Sequence, residues 1–151
     1  TESGWVIIDA DTCQPIEFGK WENWKLRSEL MGHAADEDID LFAIEMVASY
    51  GMAVGADVFE TCVWIGRFIE VCGDEPKLVK RHPIKLHHCH SAKANDANIR
   101  QALVDRFAHG EPNYGKGTKA RPGFFHGFSA DVWQAYALAV YAANVLARRQ
   151  S

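Results

Sequence analysis

No stretch of this 151-residue chain approaches the roughly 20 consecutive apolar residues of a membrane-spanning helix, so a bilayer is not an expected partner. Signal peptide, internal repeat and low-complexity block are likewise missing. Cys13, Cys62, Cys72 and Cys89 show no CxxC spacing. With nothing pointing to secretion, a reducing cytoplasm is the expected setting. The stretch GKGTKARPG at 115–123 has glycines and cations but lacks the Walker pattern GxxxxGK[ST], which argues against a nucleoside-triphosphate site.

What is present fits one soluble domain by length, with 48% hydrophobic and 24% charged residues, enough for a sizeable core. The net charge of −4 hides an asymmetry. Residues 1–76 hold four Lys/Arg against sixteen Asp/Glu, whereas residues 77–121 hold ten against three. A basic segment on an acidic protein is expected either to hold a polyanion or to be a solvated face.

Periodicity predicts a hairpin from Trp5–Ile8 and Pro15–Gly19, with turn chemistry at Asp9-Ala10-Asp11-Thr12. A short helix follows at 22–31, then the solvated acidic run DEDID at 36–40, then a strand at 41–47. Residues 54–72 read as a helix with Val58, Cys62, Ile65, Ile69 and Cys72 on its apolar stripe, widened by Phe59 and Val63. A strand at 77–80 precedes a segment, 81–90, that is ambiguous between helix and loop. Helices are expected at 94–107 and from 130 to about 147, the latter capped by Ser129. Its expected buried face is Val132, Ala135, Leu138, Ala139, Ala142, Val145 and Leu146. Residues 108–128, with five glycines and two prolines, read as a long flexible loop. The element order indicates an α/β fold with helices packed on a mixed sheet.

Glu45 interrupts the apolar run LFAIEMVASYG. A carboxylate there is costly unless paired, hydrogen-bonded or bound to a cation. Asp131 falls in the first turn of the last helix, where an α/β fold can bring it to a strand end. Two such carboxylates suit a hard divalent cation; equally, Glu45 can face solvent and Asp131 can complement the helix dipole. HHCH at 87–90 invites a zinc reading, but adjacent residues rarely converge on one ion, and a polar basic surface is the better expectation. Lys116, Lys119 and Arg121 in the glycine-rich loop are candidates for following a nucleic-acid backbone. Phe124 and Phe125 are either base-stacking groups or core.

The segments TESGWVIID, IEMVASYGMAVG, ETCVWIGRF, KANDANIRQALVDRF and SADVWQAYALAVY occur in the order seen in RuvC-like Holliday-junction resolvases, notably the phage-type branch. The resemblance spans nearly the whole chain. It implies a ribonuclease-H-like mixed five-stranded sheet flanked by helices. It also implies a homodimer that cuts branched DNA such as four-way junctions with Mg²⁺ or Mn²⁺, acting in the cytoplasm of a bacterium or a phage-infected cell. On this resemblance Glu45 is the strand carboxylate of the metal cluster and Asp131 the first acid of the final helix. Lys77, Lys80, Arg81, Lys85, Lys93 and Arg100 join the three loop cations as candidate DNA contacts. Phe59, Trp64 and Phe68 are available either for a dimer interface or for the core.

Two departures accompany the resemblance. The family's first acidic ligand lies in an Asp-Pro-Gly segment just before the residues matching TESGW, so the first strand is expected to be truncated here. Where many relatives carry a second helix acid three positions on, this chain has Gln134, a neutral ligand or a hydrogen-bond partner for a bound water. The alternatives are therefore a non-cleaving junction-binding module of the same fold and a structural metal protein built on His87, Cys89 and His90.

Overall fold

Residues 1–73 and 75–147 are described by a computed structural model. Strands Glu2–Ile8 (β1) and Pro15–Glu22 (β2) pair in a two-stranded sheet. The Asp9 carboxylate shapes their turn by accepting from the Asp11 and Thr12 amides at 2.9 and 3.0 Å. Those bonds hold its carboxyl below the usual range. The turn closes through Cys13, which adopts φ 61° with its amide on the Asp9 carbonyl at 2.8 Å.

Helix Asn23–Asp36 (α1) begins where the Glu22 carboxylate accepts from the Trp24 amide and ends at Glu37 in the left-handed region. It runs five residues past the expected end because nothing in His33-Ala34-Ala35 breaks it. Strand Ala43–Met46 (β3) pairs in parallel with Lys77–Lys80 (β4), with Glu45 opposite Val79. Between them lies helix Ala56–Val71 (α2). Helices Arg81–Cys89 (α3), Asp96–Phe107 (α4) and Ala130–Tyr141 (α5) follow, and α5 continues as a π-helix, Ala142–Leu146. The ambiguous segment 81–90 is thus helical over most of its length. A reciprocal Asn95–Asn98 capping box starts α4. The architecture among the described residues is mixed α/β with two sheets of two strands each, and a five-stranded sheet is not seen among them.

The chain packs as two compact units: Thr1–Ser3 with Trp21–Arg81, and Gly4–Lys20 with the chain from His82 onward. In the first unit, α2 buries Trp64, Ile65, Phe68, Val71 and Cys72. This face is rotated from the expected stripe, and Cys62 and Val63 are exposed while Val58 is half-buried. The physical reason is size: the rings of Trp64 and Phe68 bury more apolar surface than Cys62 and Val58. Trp64 meets Trp24 edge-on at 4.7 Å. Of the three aromatics offered to a partner, Trp64 and Phe68 are therefore core, and Phe59 stands 62% exposed.

The second unit closes on an aromatic cluster of Phe125, Phe128, Trp133 and Tyr136, with centroid separations of 4.6–5.4 Å. Phe125 is core, and Phe124 stacks on Phe107 at 5.5 Å. On α5 the buried residues include Trp133, Tyr136 and Val140 beside the expected Val132 and Leu138. The Tyr136 hydroxyl donates to the Cys13 carbonyl at 2.8 Å, tying the helix to the hairpin turn.

Residues 108–128 form a long loop that carries its own backbone hydrogen bonds. The Gly123 amide binds the Lys116 carbonyl, Thr118 N–H binds the Arg121 carbonyl, and Phe125 N–H binds the Gly115 carbonyl, at 2.9–3.0 Å. Gly117 and Pro122 form an antiparallel bridge. Gly117 is required twice over: its φ is 67°, and a Cβ there would collide with the Arg121 carbonyl. The tip is thus a small finger carrying Lys119 and Arg121.

Candidate functional site

In the first unit, Glu45 lies near the C-terminal end of β3 and lines a cavity of about 380 Å³ with Met46, Val47, Ala48, Tyr50, Val58, Thr61 and Arg81. Arg81 follows β4 directly, so the parallel pairing of β3 and β4 delivers it to this place. Its Nη1 lies 3.9 Å from Glu45 Oε1, with the side chains 21% and 40% exposed respectively. A carboxylate and a guanidinium facing one cavity answer the cost of placing a charge in an apolar strand. The β3–α2 connection rims the cavity: Tyr50 has φ 49° and Gly51 φ 80°, and the Met52 amide binds the Ser49 carbonyl.

Asp131 belongs to the second unit. Ser129 occupies the N-cap position by backbone geometry but makes no side-chain cap bond. β1 passes so close to the first turn of α5 that a Cβ at Gly4 would sit 2.5 Å from the Asp131 carbonyl oxygen. Only glycine permits this approach. Across the hairpin, Lys20 Nζ lies 2.7 Å from Asp131 Oδ2, both side chains about half exposed. One helical turn on, Gln134 Oε1 is buried with no hydrogen-bond partner among the described residues.

The predicted cations divide between the units. Lys77 and Lys80 are exposed on β4, and Arg81 sits beside Glu45. Lys85 is half-buried on α3. Lys93 lines a second cavity of about 410 Å³ with Cys89, Ser91, Asn98, Gln101 and Asp105 among others. Arg100 lies over the Tyr114 ring at 4.5 Å, and its Nε has no hydrogen-bond partner among the described residues. Lys116 is half-buried at the base of the finger, and Lys119 and Arg121 are exposed at its tip.

Two of the HHCH histidines make contacts within the fold, while His90 is exposed. His87 Nε2 donates to Asn144 Oδ1 at 3.1 Å and His88 Nε2 to the Ala137 carbonyl at 2.8 Å. Burial pushes His88 down to about 4, against a partial upward effect of the Ala137 bond, with His87 and Arg106 adding to the depression. Asn144 also accepts from Arg106 Nη1 at 2.7 Å, and its amide approaches Cys13 Sγ at 3.9 Å. This junction on the π-helix was missed from sequence. Its one signal is an asparagine inside the apolar run AANVL. Burial raises the Cys13 thiol and takes Cys72 up to about 11, as for unreactive core thiols.

No group of three or more His, Cys, Asp or Glu converges in metal-holding geometry among the described residues. Mg²⁺ characteristically takes one or two carboxylates and retains several waters. Asp131 supplies one such carboxylate, already paired with Lys20 at 2.7 Å, and the buried Gln134 amide oxygen lies one helical turn on. Each candidate carboxylate, however, faces a basic side chain. Comparison with protein-family models and with curated protein sequences finds no match. No helix of the described residues is long and apolar enough to cross a membrane.

Proposed function

We propose that the chain is a structure-selective endonuclease domain that cuts branched DNA, including four-way junctions, by divalent-metal-assisted phosphodiester hydrolysis. The observation that carries the reading is Glu45, a strand carboxylate facing a cavity with Arg81 beside it. The ordered resemblance to RuvC-like resolvases supports it. The proposal takes with it the ribonuclease-H-like five-stranded frame, a homodimer and action in the cytoplasm.

Glu45 and Asp131 are each proposed as a carboxylate ligand for Mg²⁺ or Mn²⁺. Such an ion, when bound, supplies activation of a water and neutralisation of charge on the departing oxygen. On this reading Arg81 would hold a phosphate oxygen near Glu45, since a guanidinium matches that geometry with paired N–H groups. Gln134 offers its unpartnered amide oxygen to a water proton. Lys119 and Arg121 extend from the finger to follow the phosphate backbone, which confers affinity without sequence information.

A non-cleaving junction-binding module of the same fold is the second reading. The neutral Gln134, standing where many relatives carry an acid, favours it. The experiment is incubation of a synthetic four-way junction with Mg²⁺, or with chelator, for the parent and Glu45→Gln. Nicks that require both Mg²⁺ and Glu45 support the nuclease. Junction binding without nicks supports the module, and nicking by Glu45→Gln at the parental rate defeats the site assignment.

A further inference from the structure

We propose that Tyr114 is a stacking platform for an unpaired base at the branch point of the DNA, with Arg100 held against the opposite face of its ring. This rests on reading the chain as a binder of branched DNA, and it adds an aromatic contact to the charged ones of the finger. Tyr114 is 49% exposed and is the only exposed Phe, Trp or Tyr among the described residues of the second unit. The neighbouring rings are already engaged: Phe125 is fully buried and Phe124 stacks on Phe107.

The backbone carries this ring in an unfavourable conformation. Asn113, Tyr114 and Gly115 follow one another at φ 54°, 57° and 76°. Asparagine and glycine tolerate that region, whereas a bulky aromatic residue rarely enters it. Such outliers gather at ligand clamps and binding sites. The position is also anchored. Gly115 is buried, and a Cβ there would lie 2.6 Å from the Ala108 Cβ and 2.9 Å from the Phe125 ring. The Gly115 carbonyl accepts from the Phe125 amide at 2.9 Å, and the Asn113 carbonyl accepts from the Lys116 amide at 3.0 Å.

The charge around the ring suits a nucleic acid. Arg100 lies over it, guanidinium carbon 4.5 Å from the ring centroid. Residues 108–128 hold three Lys/Arg against one acid, Glu111, whose carboxylate accepts from the Phe124 amide at 3.3 Å. An aromatic face beside cations holds single-stranded nucleic acid without reading its sequence, because every base can stack and every phosphate attracts a cation. In a paired arm both faces of each base are covered by neighbouring bases. The platform therefore favours a branch point, where that stacking is interrupted, over plain duplex.

The test uses the full chain with a four-way junction carrying one unpaired 5-iodouracil at its branch point, and a plain duplex in which the same base is paired. Irradiation joins a stacked iodouracil to the ring that it touches, and mass spectrometry of the parent complex should place the adduct on Tyr114. In titrations without irradiation, Tyr114→Asn should bind the junction about tenfold more weakly, while its duplex affinity stays within about twofold of the parent. Asparagine tolerates the left-handed region, so that variant keeps the backbone and loses the ring. Tyr114→Phe, which keeps a stacking face, should stay within about twofold of the parent on both DNAs. The irradiation arm needs the parent alone, so it decides even if Tyr114→Asn folds poorly. An adduct that maps elsewhere, or junction affinity unchanged in Tyr114→Asn, overturns the platform and leaves the nuclease reading standing. A parent that binds the junction no better than the duplex overturns both.

Discussion

Glu45 stands on a strand, inside a cavity, facing an arginine whose side chain is only 21% exposed. Asp131 stands on the first turn of a helix, half exposed, paired with a lysine that is exposed to a similar degree. The separations, 3.9 Å against 2.7 Å, run opposite to the burial. A sheltered guanidinium at the longer distance balances charge across the cavity. An exposed ammonium at the shorter distance takes an oxygen outright but yields it at little cost. The two acids share a charge and differ in how available they are.

The largest expected effect comes from neutralising either one. Glu45→Gln and Asp131→Asn should each lower junction cutting about a thousandfold or more while binding changes by less than about threefold. Stability sharpens the contrast. Asp131→Asn removes a first-turn charge and an exposed ion pair, a loss of about 1 kcal/mol by urea denaturation. If both variants cut at the parental rate, the comparison has no functional content.

Next is the support beneath Asp131. Phe125 is fully buried against Trp133 and Tyr136 of the same helix. Phe125→Ala should cost about 3–5 kcal/mol in denaturant unfolding. A cost below about 1 kcal/mol would show that α5 does not depend on this cluster.

His88, bonded to the Ala137 carbonyl of α5, gives a pH signature. Its folded value of about 4 lies below the ordinary 6.5, so between these values the unfolded chain binds a proton that the native chain refuses. Stability therefore falls as pH drops from about 6.5 towards about 4, by on the order of 3 kcal/mol in all. His88→Gln keeps a donor for Ala137 and removes the titration, so the slope over that window should fall by about one proton. An unchanged slope would place the pH dependence elsewhere.

The smallest effect is at the finger. Lys119→Ala should weaken junction binding a few-fold and make the salt dependence shallower by about one unit. An unaltered slope would mean that the tip does not touch phosphate.

Element types were largely legible because periodicity and turn chemistry are local. The Asp9 turn, β3, α4 and the start of α5 all follow from nearby residues. Faces were less legible. The stripe drawn through Val58 and Cys62 missed the rotation of α2, because which stripe is buried depends on the partner, here Trp24 of α1. Glu45 and Asp131 were visible as charges in unusual places. Lys20, Arg81 as the neighbour of Glu45, and Asn144 acquire meaning only from pairings across many residues, which no local pattern encodes.

The finger formed by residues 115–123 is held by hydrogen bonds within the loop itself. The amides of Thr118 and Gly123 are already spent on carbonyls of the same loop. A loop already held by such bonds would have less ordering entropy to lose on docking than a slack one. A duplex backbone would thus meet a ready-made prong whose grip depends on its outline as much as on its charge. Slipping two glycines between Lys119 and Ala120 would blunt that prong without removing a single cation.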